Sequence, residues 1–167
     1  MSLLLFVALG CATADNAGPI HLEPEPIGLA ECAVCGMVVG EQPSPRGQVV
    51  YRDGSHAHVC SIEETRALIS ERGPRGAPVG LWVEDLPPEF DWAAMDTGPS
   101  DWIAAKEAYF VFGADRPLVM GVPVLTFGDR DEADRVADSL GTRAVSWSEV
   151  LRTPTLEIPI ETHKEKP

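Results

Sequence analysis

Residues 48–64 (QVVYRDGSHAHVCSIEE) contain, in order, a strand, a hairpin turn, a second strand and the start of a helix. Apolar and β-branched residues on both sides of Asp53-Gly54 favour two strands, and this dipeptide is a strong hairpin signal. Ser61 and Glu64 occupy the first and fourth positions of a capping box, which opens a helix. We expect that helix to run to about residue 72.

The same order of elements returns later in the chain. Asp129 and Glu132 repeat the helix-opening pattern, and in both copies a glycine follows the cap by 12 residues and ends the helix. The sequence therefore predicts an α+β protein of two similar ββαβ units packed together, with a short helix between them over 101–108. The predicted strands are 48–51, 56–60 and 79–83 in the first unit and 109–112, 122–127 and 143–147 in the second.

Composition divides the rest of the chain. Residues 1–11 are expected to be a secretory signal, because the apolar run at 3–9 is too short to span a bilayer. Ala8-Leu9-Gly10-Cys11 is typical of a lipoprotein cleavage box, in which the cysteine becomes the lipidated N-terminus; an uncleaved apolar tail is the alternative. The expected order thereafter is a tether (12–30), the first unit (31–86), a linker (87–100), the second unit (101–152) and a loose tail (153–167).

The net charge of −13 argues against nucleic acid binding and against a polybasic membrane patch. Membrane contact is therefore expected through the lipid on Cys11, at the extracytoplasmic face of a bacterial membrane (the periplasm in a Gram-negative cell). The sequence contains no Ser/His/Asp array, phosphate-binding glycine loop or spaced carboxylate pair, so we do not expect an enzyme. Once Cys11 carries lipid, three cysteines remain, and an odd number cannot all pair within the chain.

Cys32-Ala33-Val34-Cys35-Gly36-Met37 places two thiols and a thioether within six residues. Soft sulfur donors select cuprous copper. Several interpretations stay open on these residues. One is a copper site, and another is a structural disulfide, since CxxC pairs oxidise readily outside the cytoplasm. The others are a thiol–disulfide oxidoreductase, which needs a helix starting at the CxxC, and a zinc-stapled binding module completed by Cys60 and His56 or His58.

Three further residues are weaker candidate ligands. Cys60 ends the second predicted strand, where a small buried side chain is the plainer interpretation. His56 and His58 share one face of that strand, because side chains alternate, and imidazole suits copper and zinc. An exposed hairpin face is the alternative for both histidines. His21 falls in the predicted tether, where we do not expect it to be held rigidly.

Taken together, these motifs resemble the NosL family of copper lipoproteins. The matching pieces are Cys11, Glu23-Pro24-Glu25-Pro26-Ile27, the CxxCGM stretch, residues 102–111 (WIAAKEAYFV), Met120-Gly121-Val122-Pro123 and Phe127-Gly128-Asp129.

The resemblance implies a pair of ββαβ units and a chaperone that binds Cu⁺. It adds Met120 to Cys32, Cys35 and Met37 as candidate ligands, so that the metal would bridge the two units. It also implies nitrous oxide reductase as the recipient of the copper, in the maturation of that enzyme for denitrification. A copper-loading membrane transporter complex of the same system is the implied docking partner.

Overall fold

Strand β1 (Gly47–Tyr51) is a central strand of the first sheet in the computed structural model, which describes residues 21–70, 73–91, 101–116 and 121–153. The predicted hairpin joins it to β2 (His56–Val59), and Gly54 in the turn has a φ of 82°, a left-handed conformation that glycine adopts without strain. β3 (Pro78–Asp85) pairs with the other side of β1, and β4 (Asp101–Ala104) pairs with β3. The sheet is antiparallel, with the order β2-β1-β3-β4.

The second sheet repeats the arrangement of the first three strands. β5 (Tyr109–Phe112) lies between β6 (Val124–Phe127) and β7 (Val145–Ser146), and both pairings are antiparallel. In each sheet the first strand of the unit therefore lies between the second and the third. Two antiparallel sheets with few helices confirm the predicted α+β class, and the shared strand order is the one that two ββαβ units require.

Two helices begin where their caps predict. α1 (Ile62–Ser70) follows Ser61, whose Oγ accepts the N–H of Glu64 at 3.2 Å. α2 (Arg130–Ser139) follows Asp129, whose carboxylate accepts the N–H of Glu132 at 2.8 Å. Residues 71 and 72, at the predicted end of the first helix, lie outside the described residues.

The short helix predicted over 101–108 is wrong. Residues 101–104 form β4, in which Trp102 and Ala104 lie opposite Glu84 and Trp82 of β3. An exposed edge of β3 offers backbone partners along its whole length, whereas a two-turn helix leaves most of its terminal N–H and C=O groups unpaired. Helix propensity is a weak preference that such pairing overrides. A segment that we predicted as part of the second unit is therefore the outer strand of the first sheet.

A third helix, α3 (Trp147–Arg152), begins where the last predicted strand should have continued. Ser146 and Glu149 form a complete capping box at its start. This is the same S-x-x-E pattern that identified α1, so the sequence signal was present and was missed. No helix in the described parts of the chain is both long and apolar enough to cross a bilayer.

The two units pack together through buried side chains, as predicted. One buried cluster draws side chains from both sheets and from the helices that cover them, and its most buried members are Ile62, Val83, Ala105, Ala108, Phe110, Val124 and Val150. Hydrogen bonds also cross between β3 and β6: Leu86 N–H donates to Thr126 O at 3.0 Å, and Thr126 Oγ1 donates to Glu84 O. The relative position of the two sheets is thereby fixed by apolar packing and by backbone contacts.

Candidate metal centre

Three cysteines from two segments converge beside the start of α1. Cys32 and Cys35 lie in a turn that precedes β1, and Cys60 directly follows β2. One ligand atom from each of them and a carboxylate oxygen of Glu64 all lie within 4.8 Å of one another. Cys35 Sγ is 3.7 Å from Cys60 Sγ, and Cys32 Sγ is 3.3 Å from Glu64 Oε2. All three cysteines are free thiols, so the arrangement offers three sulfur donors to one ion.

The CxxC segment forms a closed turn, not a helix. Cys32 N–H donates to Met37 O at 2.7 Å, and Gly36 N–H donates to Cys32 O at 2.9 Å. Gly36 has a φ of 77°, which lets the chain reverse direction after Cys35. Cys35 N–H also lies 3.5 Å from Cys32 Sγ. The turn therefore directs both sulfur atoms to the same side, and it lacks the helix that the oxidoreductase interpretation requires.

The turn is held against β2 beside the third cysteine. Ala33 N–H donates to His58 O at 2.9 Å, two residues before Cys60. An antiparallel bridge between Glu31 and Val38 closes the base of the turn. The convergence of the cysteines is thus produced by backbone hydrogen bonds, which are in place without any metal.

Glu64 belongs to the site, and the sequence analysis missed it. In a capping box its carboxylate would accept the N–H of Ser61. It accepts the N–H of Cys60 at 2.9 Å instead, and the thiol of Cys32 donates to the same oxygen. The available signal was its position, because the third residue of a helix that starts directly after Cys60 faces the end of β2.

The electrostatics of the cluster favour protonated thiols in the metal-free protein. Burial raises the pKa of Cys60, and hydrogen bonding to Cys32 and the negative charge of Glu64 raise it further. Burial also raises the pKa of Cys35. A metal ion must therefore displace protons from these thiols when it binds. Redox-active CxxC pairs show the opposite, a lowered thiol pKa.

One cysteine connects the cluster to solvent. Cys35 is half-buried, whereas Cys32 and Cys60 are only 4% and 3% exposed. The other sides of the cluster are apolar, formed by side chains that include Val39, Val59, Ile27 and Leu68. Apart from the Glu64 carboxylate, the surroundings of the cluster are therefore apolar, and Cys35 is the cysteine that solvent reaches.

Of the two predicted methionine ligands, the structure describes one. Met37 is half-buried and packs against the cysteine cluster. Met120 lies outside the described residues, as does the predicted lipidation site Cys11. Gly121, the residue after Met120, has a φ of 78°, and a Cβ atom at this position would lie 2.8 Å from Glu63 Cγ. This point of the second unit therefore contacts the first turn of α1, one residue from Glu64.

The structure places the rings of His56 and His58 on Gln48, and neither belongs to the cysteine cluster. His56 Nδ1 lies 2.7 Å from Gln48 Oε1, and His58 Nε2 lies 2.7 Å from Gln48 Nε2. Burial lowers the pKa of His58. The side chains of these two weaker candidates therefore belong to a separate polar network around Gln48.

Known proteins resemble this chain in sequence and in fold. The NosL family model matches residues 25–154. The copper-binding lipoprotein NosL of Achromobacter cycloclastes is 30% identical over 98% of this chain and 83% of its own length. The copper-binding lipoprotein NosL of Stutzerimonas stutzeri is 28% identical, over 89% and 76% respectively.

A solved structure has the same fold. The crystal structure of the copper chaperone NosL from Shewanella denitrificans aligns with a TM-score of 0.63, over 77% of this chain and 96% of that one. The two sequences are 22% identical, so this likeness bears on the fold alone.

Proposed function

The chain belongs to the NosL family, and from this premise we propose that it binds cuprous copper at the cysteine cluster and passes it on. The observation that carries the proposal is the convergence of three free thiols, with 3.7 Å between the sulfur atoms of Cys35 and Cys60. Thiolates are soft donors and select Cu⁺. Relatives from two organisms that are named copper-binding lipoproteins support the same assignment.

We assign the primary ligand role to Cys32, Cys35 and Cys60. Cys60, a weaker candidate on sequence, becomes an equal one because its sulfur lies beside that of Cys35. Met37 is a further candidate, since it packs against the cluster. Met120 is supported by its neighbour, because consecutive Cα atoms are about 3.8 Å apart and Gly121 contacts α1 beside the site.

Ligand exchange is the proposed transfer step. The ion enters and leaves on the side of Cys35, the one half-buried thiol of the cluster. A sulfur ligand of the recipient adds to the ion from that side, and the cysteines of this chain then leave and take up protons again. The raised pKa values of Cys35 and Cys60 favour this release, because the free thiolates are unfavourable in their buried surroundings.

The setting of this transfer also follows from the family. We propose that Cys11 carries the lipid that anchors the protein at the extracytoplasmic face of the membrane, as the lipoprotein names of the relatives suggest. The proposed recipient is nitrous oxide reductase, and the proposed docking partner is its copper-loading transporter complex. The protein itself is proposed to be a carrier, not an enzyme.

Anaerobic titration with Cu⁺ against a chromophoric chelator tests the binding step. We expect one ion per chain, and a loss of affinity of at least about 10-fold for Cys35→Ser and for Cys60→Ser, as for removal of groups that support a metal site. Met120→Ala should also weaken binding, and Met95→Ala is its matched control. Cys11→Ser should bind as the wild type does. Equal affinity in Cys60→Ser and wild type would contradict the assignment.

The delivery step needs a separate test. Copper-loaded protein is mixed with metal-free nitrous oxide reductase, and nitrous oxide reduction is measured against an equal amount of Cu⁺ held by the chelator. Faster activation by the loaded protein supports delivery. Tight Cu⁺ binding without any gain in activation would mean that the recipient is another copper protein.

A zinc-stapled module is the second candidate, and one observation favours it. Three thiols and the carboxylate of Glu64 form a four-donor set, which is the number that tetrahedral zinc takes in closed structural sites. Elemental analysis after anaerobic purification separates the candidates. Zinc retained in full by Met120→Ala, and not displaced by Cu⁺, would favour the zinc module.

A further inference from the structure

A second set of ligand atoms lies away from the cysteines, where residues 21–25 lie against the start of β2. His21, Glu25 and His56 each offer one ligand atom, and these atoms lie within 4.8 Å of one another. We propose that these three residues form a separate binding site for a divalent cation of the Zn²⁺ and Cu²⁺ class. The proposal is independent of the copper cargo at the cysteine cluster.

Gln48 links two of these residues by hydrogen bonds, to the main chain of Glu25 and to the ring of His56. It is fully buried, and its amide is oriented by the main chain of Glu25, whose N–H donates to Oε1 at 2.8 Å and whose carbonyl accepts from Nε2 at 2.9 Å. A backbone N–H can only donate and a carbonyl can only accept. The oxygen and nitrogen of this side chain are therefore assigned without ambiguity.

The amide in turn fixes the tautomer of His56. Gln48 Oε1 is only an acceptor, so His56 Nδ1, at 2.7 Å, must carry the proton and donate. In the neutral ring the lone pair then lies on Nε2. This is the arrangement of a metal-binding histidine, which donates its other ring N–H to an oxygen that orients it.

The lone pair of His56 is buried and unused. Its side chain is 4% exposed, and Nε2 has no hydrogen-bond partner among the described residues. The neighbouring acceptor, Glu25 Oε1, lies 3.6 Å away, which is too far for a hydrogen bond. Two ligand atoms on one tetrahedral zinc ion, with bonds of about 2.1 Å, are about 3.4 Å apart. The gap between the two atoms therefore fits a shared ion.

The third ligand comes from a segment that the fold holds in place. Trp82 Nε1 donates to Leu22 O at 2.8 Å, and Glu25 is paired to Gln48 through both its backbone groups. His21 directly precedes the first of these anchors, and its ring lies 6.3 Å from that of His56, centroid to centroid. The predicted tether is thus attached to the sheet over its described part.

The donors define the class of ion. Two imidazoles and one carboxylate contain no sulfur, so they suit borderline divalent ions and not Cu⁺. Three protein ligands with a fourth position open to water are a known zinc arrangement. The site lies four residues along the chain from Cys60, roughly 13 Å at the rise of a strand, so one ion cannot bind both sets. A bound ion would clip residues 21–25 to the edge strand β2.

¹¹³Cd NMR of the full chain tests the proposal, because the chemical shift separates sulfur-bound from nitrogen- and oxygen-bound cadmium. We expect two resonances, one of each kind. His21→Asn and Glu25→Gln should remove only the nitrogen and oxygen resonance, and Cys60→Ser should alter only the sulfur one. Both test residues are exposed, so these variants keep the fold even if a variant of the buried His56 does not.

A competition titration with Zn²⁺ measures the affinity of the site formed by His21, Glu25 and His56. His21→Asn and Glu25→Gln should each weaken Zn²⁺ binding at this site by on the order of 10-fold or more. Glu23→Gln and His163→Asn are matched controls that make the same chemical changes at other positions, and they should bind as wild type. Absence of the nitrogen and oxygen resonance, or its persistence in both test variants, would overturn the proposal. Loss of the sulfur resonance alone would count against the copper site instead.

Discussion

At the scale of single residues, function depends on side chains that the fold has already oriented. Glu64 and Gln48 are both buried, and neither carries an obvious metal signature in the sequence. Glu64 accepts from Cys60 N–H and from the thiol of Cys32, and Gln48 selects the ring nitrogen that His56 offers. Hydrogen-bond partners of this kind orient the ligands of a metal site and tune its affinity.

A glycine substitution tests the contact between the second unit and α1. Gly121→Ala places a Cβ atom 2.8 Å from Glu63 Cγ, at a φ of 78° that is strained for alanine. Gly113→Ala is the matched control, since its φ is 95° but nothing lies within 4 Å. Both variants should lose on the order of 1–2 kcal/mol from backbone strain. Only Gly121→Ala should also weaken Cu⁺ binding in a chelator titration, because it moves the residue that follows Met120.

One outcome of this comparison would contradict a Cu⁺ site that bridges the two units. If the two alanine variants bind Cu⁺ equally well, the segment that contains Met120 does not contribute to the affinity.

The buried thiol of Cys60 predicts a loss of stability in alkali. Its pKa is raised from 9.0 by burial, so the folded protein keeps a proton that the unfolded chain releases above about pH 9. The native state then binds more protons, and the free energy of unfolding falls with rising pH, by about 1.4 kcal/mol per pH unit for one proton. The stability is present in full below pH 9.

Denaturant unfolding of metal-free, reduced protein between pH 7 and pH 10.5 checks this. Cys60→Ala should show a shallower fall than wild type, because the remaining groups, including Tyr51, titrate in both. If the free energy of unfolding falls equally with pH in both proteins, the Cys60 thiol ionises as easily in the folded state as in the unfolded chain.

At the scale of elements, helix starts were predictable and one strand was not. Ser61 and Asp129 cap their helices through local hydrogen bonds, which depend on residues three apart. Residues 101–108 were predicted to form a helix from local signals, but the edge of β3 is available to residues 101–104 only in the folded chain. Local signals therefore located α1 and α2, and a long-range pairing decided β4.

The capping box of α3 predicts how the stability of the protein changes in acid. Hydrogen bonds from Ser146 N–H, from Arg143 and from the Ser146 hydroxyl lower the pKa of Glu149 to about 2, against 4.5 in an unfolded chain. A lowered pKa contributes stability above pH 4.5 that is lost as the pH falls towards 2. Carboxyl NMR titration should give a midpoint near 2, and Arg143→Gln should raise it. A midpoint near 4.5 would mean that the capping box does not form in solution.

For the molecule as a whole, we expect the two units to unfold as one. They share a buried cluster, and Leu86 and Thr126 join β3 to β6 by hydrogen bonds. The buried bidentate pair of Arg46 and Glu84, with Nε to Oε2 at 2.8 Å, adds a charged contact within the first unit.

Thr126→Val tests this cooperativity. It removes the hydroxyl that donates to Glu84 O and keeps the shape of the side chain. We expect a loss of about 1 kcal/mol, the usual net value of a buried hydrogen bond, and a single transition seen alike by tryptophan fluorescence and by far-UV circular dichroism. Two separate transitions in the wild type would show that the units unfold independently.

The α+β class, the caps of two helices, the repeated strand order and the soft donors of the CxxCGM stretch could all be predicted from the amino-acid sequence. These depend on periodicity, on residues three or four positions apart and on the identity of the donor atoms. Three features could not be predicted from local sequence. Cys60 and Glu64 complete the cysteine cluster, His56 and His58 form hydrogen bonds with Gln48, and residues 101–104 form a strand. These contacts join residues from different elements, and the backbone hydrogen bonds and packing that bring them together form only when the chain has folded.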